Sequence, residues 1–257
     1  MAMPNPFLQE TWYCDYSDPV IKGLAADLQA DARDDRETAV AMFRFVRDAV
    51  RYEVGNWQRS AVETLAHASG TCTNSANLLV ALLRSSGIPA GYGIMSVRGR
   101  EYFGPIAPRR LSRLVGEVSK HVYACVELDG VWVRCDPSDD KALSLGTVHL
   151  NPQSRMVDWD GTRDAMLNLD PHHILDDRSP AADIDGLMAK PMRRAMRVPV
   201  RIANHYMDFL RAEGAGMRDP AEAEQRFERW LRGRHPALYL AYRALPAGAP
   251  QVEPAAS

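Results

Sequence analysis

The chain has 257 residues, of which 46% are hydrophobic and 25% are charged, and its formal net charge is −2. This near-neutral balance gives no long-range attraction to polyanions, which argues against a protein that binds nucleic acid or an anionic membrane surface. No apolar run approaches the roughly 18 residues of a membrane span, and residues 1–10 lack the pattern of a secretory signal. We therefore expect a cytoplasmic protein.

Four cysteines, Cys14, Cys72, Cys125 and Cys135, are too few and too irregularly spaced for a disulfide framework. No CxxC pair is present, so the sequence lacks a strong zinc signature, and we predict no metal site. In a reducing compartment all four would be thiols. We expect three of them to be packed in the interior and one to be reactive.

The first 70 residues are predicted to be mainly helical. Ser17 is the expected cap of a first helix, because the proline two residues later suits a first helical turn. Asp34 and Ser60 are each followed three residues later by glutamate, which is the pattern of a capping box. We therefore expect three helices before the clearest helix of the chain, which begins at Thr71 or Cys72 and ends at Ser86.

A glycine and a strand-like region follow that helix. Gly87 suits the position after a helix C-terminus, and the proline at position 89 prevents continuation. Residues 90–97 are predicted to form a short strand. Residues 98–120 are predicted to form a polar loop that could fold over a cleft. Residues 121–128 and 131–136 alternate around Asp129-Gly130, which predicts a hairpin with a two-residue turn.

The C-terminal third is predicted to be helical from Ile184 onward. Met188, Met192 and Met196 recur at helical spacing and favour core packing. A further helix is expected to begin at Asp219-Pro220. The last dozen residues, which are rich in proline and alanine, are predicted to be disordered.

Cys72 is the candidate nucleophile. At the first turn of a helix, the positive end of the macrodipole and the free N–H groups stabilise a thiolate and lower the pKa of the thiol. Gly70 permits a tight turn into the helix, and the backbone amide of Cys72 could donate a hydrogen bond to an oxyanion.

The hairpin supplies a candidate base. If Leu128 pairs with Val131, the register places His121 and Asp136 as diagonal neighbours on the same face of the sheet. Their Cβ atoms should then be roughly 7 Å apart, close enough for the carboxylate to bind the imidazole. Such a carboxylate fixes the tautomer of the ring and stabilises the imidazolium, which in turn holds a nearby thiolate.

Four segments together resemble the core of the transglutaminase-like superfamily. They are residues 70–79 (GTCTNSANLL), 83–90 (LRSSGIPA), 121–132 (HVYACVELDGVW) and 136–138 (DPS). The resemblance covers about residues 36–140 and is specific for the fold and the triad but not for the substrate. It implies an α+β, papain-like fold in which a helix-borne cysteine faces a histidine and an aspartate on adjacent strands.

The resemblance also implies roles for individual residues. Cys72 would be the nucleophile, His121 the general base and then acid, and Asp136 the orienting carboxylate. Family members often use a side chain ahead of the cysteine as second oxyanion donor, for which Trp57 and Gln58 are candidates. We expect a transglutaminase-like catalytic domain over residues 1–175, a helical extension over 176–245 and a disordered tail over 246–257.

The predicted activity is thiol-dependent acyl transfer to a peptide, a protein or a small amide or thioester substrate. Water as acceptor would make the protein an amidase or peptidase, and an amine would make it a transglutaminase or amide synthase. The chemistry requires no metal or organic cofactor. The alternative is a non-catalytic interaction module that keeps the fold.

Several other patterns favour structural interpretations. Lys190, Arg193, Arg194, Arg197 and Arg201 lie at helical intervals and could dock an acidic partner, but a solvated helix face explains them better.

Joint metal ligation by Cys72, His121 and Cys125 is disfavoured, because His121 and Cys125 would lie roughly 13 Å apart along a strand. A disulfide between Cys125 and Cys135 is disfavoured because the two residues point to opposite faces. His172 and His173 are expected to be structural or surface residues, since adjacent side chains point apart and no other ligands cluster near them in sequence.

Overall fold

The computed structural model describes residues 4–104, 107–138, 140–147, 156–167 and 169–246. In this part of the chain the α-helices are α1 (Pro19–Gln29), α2 (Asp35–Ala49), α3 (Ala61–His67), α4 (Cys72–Ser85), α5 (Gly99–Phe103), α6 (Arg109–Ser112), α7 (Lys141–Thr147), α8 (Asp185–Met188), α9 (Arg197–Glu213), α10 (Pro220–Arg234) and α11 (Pro236–Ala244). The strands are β1 (Arg51–Tyr52), β2 (Ser69–Gly70), β3 (Ala90–Arg98), β4 (Val118–Leu128), β5 (Val131–Cys135) and β6 (Ile174–Ala181).

The central sheet has the strand order β5-β4-β3-β6, and its neighbouring strands are antiparallel. In the β4–β5 hairpin Leu128 pairs with Val131, and the ladder continues to the pair of Ala124 with Cys135. Asp129 and Gly130 join the strands with φ angles of 53° and 75°. Such a turn requires positive φ at both central residues. The predicted hairpin and its register are confirmed.

Helix α4 lies between this sheet and the three preceding helices. It packs against β4 on one side and against α1, α2 and α3 on the others. Every residue from Cys72 to Arg84 is therefore buried. Its polar residues are satisfied inside the protein: the Asn77 amide donates to the carbonyl oxygen of Tyr13 at 2.8 Å and accepts from the Tyr92 hydroxyl at 2.8 Å. The helix is thus held rigidly over the sheet.

The predicted helix caps are mostly confirmed. Asp34 accepts a hydrogen bond from the backbone of α2, and Ser60 forms a full capping box at the start of α3. The first helix differs, because Asp18 caps α1 and Ser17 instead donates to the carboxylate of Glu10. The expectation for Ser17 is therefore wrong, because the carboxylate of Asp18 accepts the free amide of Val20 and the Ser17 hydroxyl donates to Glu10.

Strand β6 was not predicted from the sequence. It pairs with β3 at the edge of the sheet, and its central residues Asp176, Asp177 and Arg178 are exposed. The strand crosses the predicted boundary at residue 175, so the central sheet continues to residue 181. The division into a catalytic part and an extension otherwise stays a prediction, and the tail beyond residue 246 lies outside the described residues.

The C-terminal helices α9, α10 and α11 pack around a second hydrophobic core. The predicted helix after Asp219 is confirmed, with this aspartate as its cap. Met188 is fully buried in the first core, while Met192 and Met196 are half-buried. No helix in the described ranges is both long and apolar enough to cross a membrane.

The basic residues near position 195 do not share one helix face. Lys190 and Arg193 precede a 3-10 turn (Arg194–Met196), and only Arg197 and Arg201 lie on α9. The chain is irregular ahead of the turn because it contains a proline at position 191, which cannot donate a backbone hydrogen bond. All five basic residues are exposed, as expected for a solvated surface.

Candidate active site

Cys72 is the first residue of α4, and only 9% of its surface is exposed. The amides of this first turn have no intrahelical acceptor, so they and the positive end of the helix dipole adjoin the thiol. Two residues earlier, a Cβ atom on Gly70 would lie 2.6 Å from the Cβ of Asn74, so the chain can turn into the helix this closely only with glycine. The predicted position of Cys72 at the helix start is confirmed.

The side chain of Asn74 connects the start of α4 to residues 57–59 through hydrogen bonds. Its side-chain oxygen accepts hydrogen bonds from the amide and the hydroxyl of Thr71 at 3.0 and 2.9 Å. Its side-chain nitrogen donates to the carbonyl oxygens of Trp57 at 3.1 Å and Arg59 at 3.4 Å. Asn74 is fully buried, so losing it would leave several polar groups unpaired. The backbone around the thiol is therefore fixed from two directions.

His121 and Asp136 form a buried pair at the end of the hairpin ladder. The Nε2 atom of His121 lies 2.5 Å from Oδ2 of Asp136, and the two residues are 4% and 0% exposed. The other carboxylate oxygen accepts from the amide and the hydroxyl of Ser138 at 3.1 and 2.6 Å. The predicted contact is confirmed. Because Nε2 is engaged by the carboxylate, Nδ1 is the ring nitrogen left for the thiol.

The charges of this site stabilise a thiolate–imidazolium pair. Burial would raise the pKa of the Cys72 thiol, but the charge of His121, its hydrogen bond and a further bond from the Val122 amide lower that pKa below its ordinary value. Burial would lower the pKa of His121, but the charges of Asp136 and Cys72 raise it well above the ordinary value. The pKa of Asp136 is lowered, against the effect of burial, by the charge of His121 and by hydrogen bonds.

The other three cysteines have the opposite character. Burial raises the pKa of Cys14 to about 11 and that of Cys125 to about 12. Burial also raises the pKa of Cys135 well above its usual range. All three are buried free thiols, and Cys125 and Cys135 belong to the cores on opposite faces of the sheet. The expectation of one reactive thiol among four agrees with these environments.

Trp57 and Gln58 use their side-chain donors to bind backbone carbonyl groups of the C-terminal part of the chain. The indole N–H of Trp57 donates to the carbonyl oxygen of Lys190 at 2.8 Å, and the Gln58 amide donates to that of Ala189 at 3.1 Å. An indole has one N–H, so Trp57 cannot also donate to an oxyanion in this arrangement. The C-terminal segment that accepts these bonds could not be foreseen from the local sequence.

Tyr52 is a residue of the site that the sequence analysis missed. It lies opposite Gly70 in the parallel pairing of β1 with β2, beside the turn into α4. Burial and the nearby charges of Cys72 and Asp136 raise the pKa of its hydroxyl, so the phenol stays protonated next to the thiolate. A two-residue strand carries no periodicity, and the sequence therefore gave no signal for it.

Helix α9 reaches this region through a buried ion pair. Arg211 Nε lies 2.9 Å from Asp140 Oδ2, with side-chain exposures of 11% and 9%. The same carboxylate oxygen accepts the amide of Tyr52 at 3.2 Å, and the guanidinium donates to the carbonyl oxygen of Tyr52. Arg211 and Asp140 therefore hold both polar backbone groups of Tyr52, which couples the C-terminal helices to the site.

Replacing Arg211 with alanine is expected to destabilise the protein by about 3–5 kcal/mol, because Asp140 would be left charged and buried without its partner. Urea unfolding measures this change. The matched control is Arg218→Ala, which removes an exposed ion pair with Glu222 and should leave the unfolding midpoint nearly unchanged. An Arg211→Ala protein as stable as wild type would show that the ion pair does not hold α9 to the site.

Residues 22–137 match the family model described as the transglutaminase-like superfamily. The chain therefore contains a transglutaminase-like domain. Cys72, His121 and Asp136 all lie inside the matched segment, and the mixed α+β architecture agrees with the fold that the resemblance implied. The site that this transglutaminase-like domain presents has the composition of a thiol-dependent enzyme.

Two solved structures resemble the transglutaminase-like domain. A proposed cysteine protease from Cytophaga hutchinsonii is 23% identical with a TM-score of 0.41, and the match covers 52% of this chain and 41% of that chain. A proposed protease from Parabacteroides distasonis ATCC 8503 is 14% identical with a TM-score of 0.34, over 50% of this chain and 24% of that chain. The match thus spans less than half of either neighbour. Among curated proteins there is no match.

Proposed function

We propose that the protein is a thiol-dependent acyl-transfer enzyme, in which Cys72 attacks the carbonyl carbon of an amide or thioester. The observation that carries this proposal is the buried series of contacts from Cys72 to His121 to Asp136. A lowered pKa makes the sulfur a nucleophile at neutral pH, and the carboxylate supports the imidazolium beside it. A packed structural cysteine would show the raised pKa of the other three thiols.

The first half of the reaction forms an acyl-enzyme. The Cys72 thiolate forms a bond to the carbonyl carbon, and the carbonyl electron pair moves to oxygen, where the Cys72 backbone N–H can donate to it. Collapse of this intermediate breaks the bond to the leaving amine or thiol. The Nδ1–H of His121 gives its proton to the leaving group, so the imidazole becomes neutral.

The second half returns the enzyme to its starting state. Neutral His121 accepts a proton from water or an amine as that nucleophile attacks the thioester of the acyl-enzyme. The Cys72 thiolate then leaves, which restores the ion pair with the imidazolium. With water the protein is an amidase or peptidase, and with an amine it is a transglutaminase or amide synthase. The substrate is a peptide, a protein or a small amide or thioester.

Trapping of the acyl-enzyme tests this proposal. Wild type and Cys72→Ala would be incubated with a panel of peptide thioesters, peptide anilides and glutamine peptides, each with and without a primary amine. Mass spectrometry would locate the acyl group. We expect one acyl group on Cys72 of the wild type and none on Cys14, Cys125 or Cys135. We also expect turnover to be faster with one of the two acceptors, water or the primary amine, than with the other. If no donor acylates Cys72 in folded protein, the non-catalytic interaction module becomes the better account.

A further inference from the structure

Three metal-ligating side chains meet outside the active site. Glu101 on α5 and the neighbouring pair His172 and His173, in the 3-10 turn Pro171–His173, each offer a ligand atom, and these atoms all lie within 4.8 Å of one another. From the sequence, the two imidazoles were expected to point apart, with no further ligands nearby. That expectation is wrong, because consecutive side chains in a 3-10 turn do not alternate as in a strand, and the two ring centroids lie 3.7 Å apart.

The imidazole of His173 carries an unsatisfied nitrogen. Its Nδ1 atom is buried and has no hydrogen-bond partner among the described residues. The nearest carboxylate oxygen, Oε2 of Glu101, lies 3.7 Å away, which is beyond hydrogen-bond distance. Buried polar nitrogens in folded proteins nearly always have a partner. A cation between the imidazole and the carboxylate would supply one.

The imidazole of His172 is oriented by a carboxylate. Oδ1 of Asp170 lies 2.7 Å from its Nδ1 atom and also accepts the His172 backbone N–H at 3.0 Å. Metal-binding histidines commonly use one ring nitrogen for such a carboxylate and the other for the metal. Nε2 of His172 is the nitrogen left free in this way.

We propose that Glu101, His172 and His173 bind a divalent transition-metal ion, with Zn²⁺ as the expected occupant. Two imidazoles and one carboxylate are a donor set that suits Zn²⁺, with a fourth position open to water. The two nitrogen ligands disfavour Ca²⁺ and Mg²⁺, which prefer oxygen. Arg98 contacts the other carboxylate oxygen of Glu101, at 4.0 Å, so it leaves Oε2 to the metal.

The bound ion would join two segments that approach the active site. It would tie α5 to the turn that leads into β6, because its ligands come from both. Tyr102, the residue after Glu101, packs edge-to-face on His173 with ring centroids 5.7 Å apart, and it interacts electrostatically with Tyr52. The metal would therefore fix the position of a side chain that borders the active site. The inference does not depend on the acyl-transfer proposal, since it concerns binding only.

Zinc titration of the purified full chain tests the proposal. The background is Cys72→Ala, so that the thiolate cannot ligate the metal, and a chromophoric chelator competes for Zn²⁺. We expect one Zn²⁺ per chain, with affinity lowered at least about tenfold by Glu101→Gln, by His172→Ala and by His173→Ala. Asp170→Asn is expected to lower the affinity about 10–100-fold. His67→Ala removes an exposed histidine on α3 and should leave binding unchanged.

Thermal unfolding gives the second measurement. Zn²⁺ should raise the Tm of the Cys72→Ala protein, since a ligand that binds only the folded state stabilises it. The rise should be lost in His173→Ala, whose metal-free Tm and circular dichroism report whether it folds. Absence of Zn²⁺ binding, or binding and a Tm rise that persist in Glu101→Gln and both histidine variants, would overturn the proposal.

Discussion

Replacing Cys72 with alanine is expected to lower kcat for acyl transfer by at least about 10⁴-fold, because no acyl-enzyme can form without the sulfur. The rate would be measured with the donor that acylates Cys72 in the trapping experiment. Folding is expected to be retained, since a methyl group replaces a thiol that is already packed at the start of α4.

Cys125→Ala is the matched control for this variant. It removes a buried thiol that packs with Met95, Val97 and Tyr123, where burial raises the pKa of the thiol, and it should leave kcat close to that of wild type. If the Cys72→Ala protein kept more than about a tenth of wild-type activity, the covalent mechanism would be wrong.

Asp136→Asn is expected to lower kcat by about 10³–10⁴-fold while leaving the fold intact. The neutral asparagine cannot balance the charge of the imidazolium. Its NH₂ group can also face the Nε2–H of His121, which would bring two hydrogen-bond donors together. Since the charge of Asp136 raises the pKa of His121, its removal lowers that pKa. The thiolate–imidazolium form is lost as pH rises through the pKa of His121, so the alkaline limb of the pH–rate profile should move to lower pH.

Asp164→Asn controls for the loss of a carboxylate near the same hairpin. Asp164 pairs with Arg134 at the surface, with 41% of its side chain exposed, and its loss should change neither kcat nor the pH profile. A purely structural role for Asp136 would lower the amount of folded protein but would leave the alkaline limb in place. The position of that limb therefore separates the two roles.

The triad could be predicted from the sequence because its geometry is set locally. The two-residue turn at Asp129-Gly130 fixes the register of the hairpin, which brings His121 to Asp136 across 15 positions of the chain. The start of α4 is likewise defined by its own residues, since Gly70 permits the turn and Cys72 follows it. Local rules of turns and helix ends were sufficient for these features.

The surroundings of the triad could not be predicted in this way. The guanidinium of Arg211 binds the backbone of Tyr52 across 159 positions, and the indole of Trp57 binds that of Lys190 across 133 positions. Such contacts depend on how the C-terminal helices dock, and no periodicity encodes that docking. Strand β6 was missed because charged residues replace the apolar alternation, so only its pairing with β3 defines it.

The central claim is that Cys72 exists as a thiolate paired with the imidazolium of His121. The pH dependence of alkylation by iodoacetamide, resolved for each cysteine by mass spectrometry, tests it most directly. We predict that Cys72 alone reacts rapidly well below the ordinary thiol pKa of about 8.5, and that His121→Ala abolishes this reactivity at low pH. Alkylation of Cys72 no faster than that of Cys14, Cys125 and Cys135 would contradict the claim.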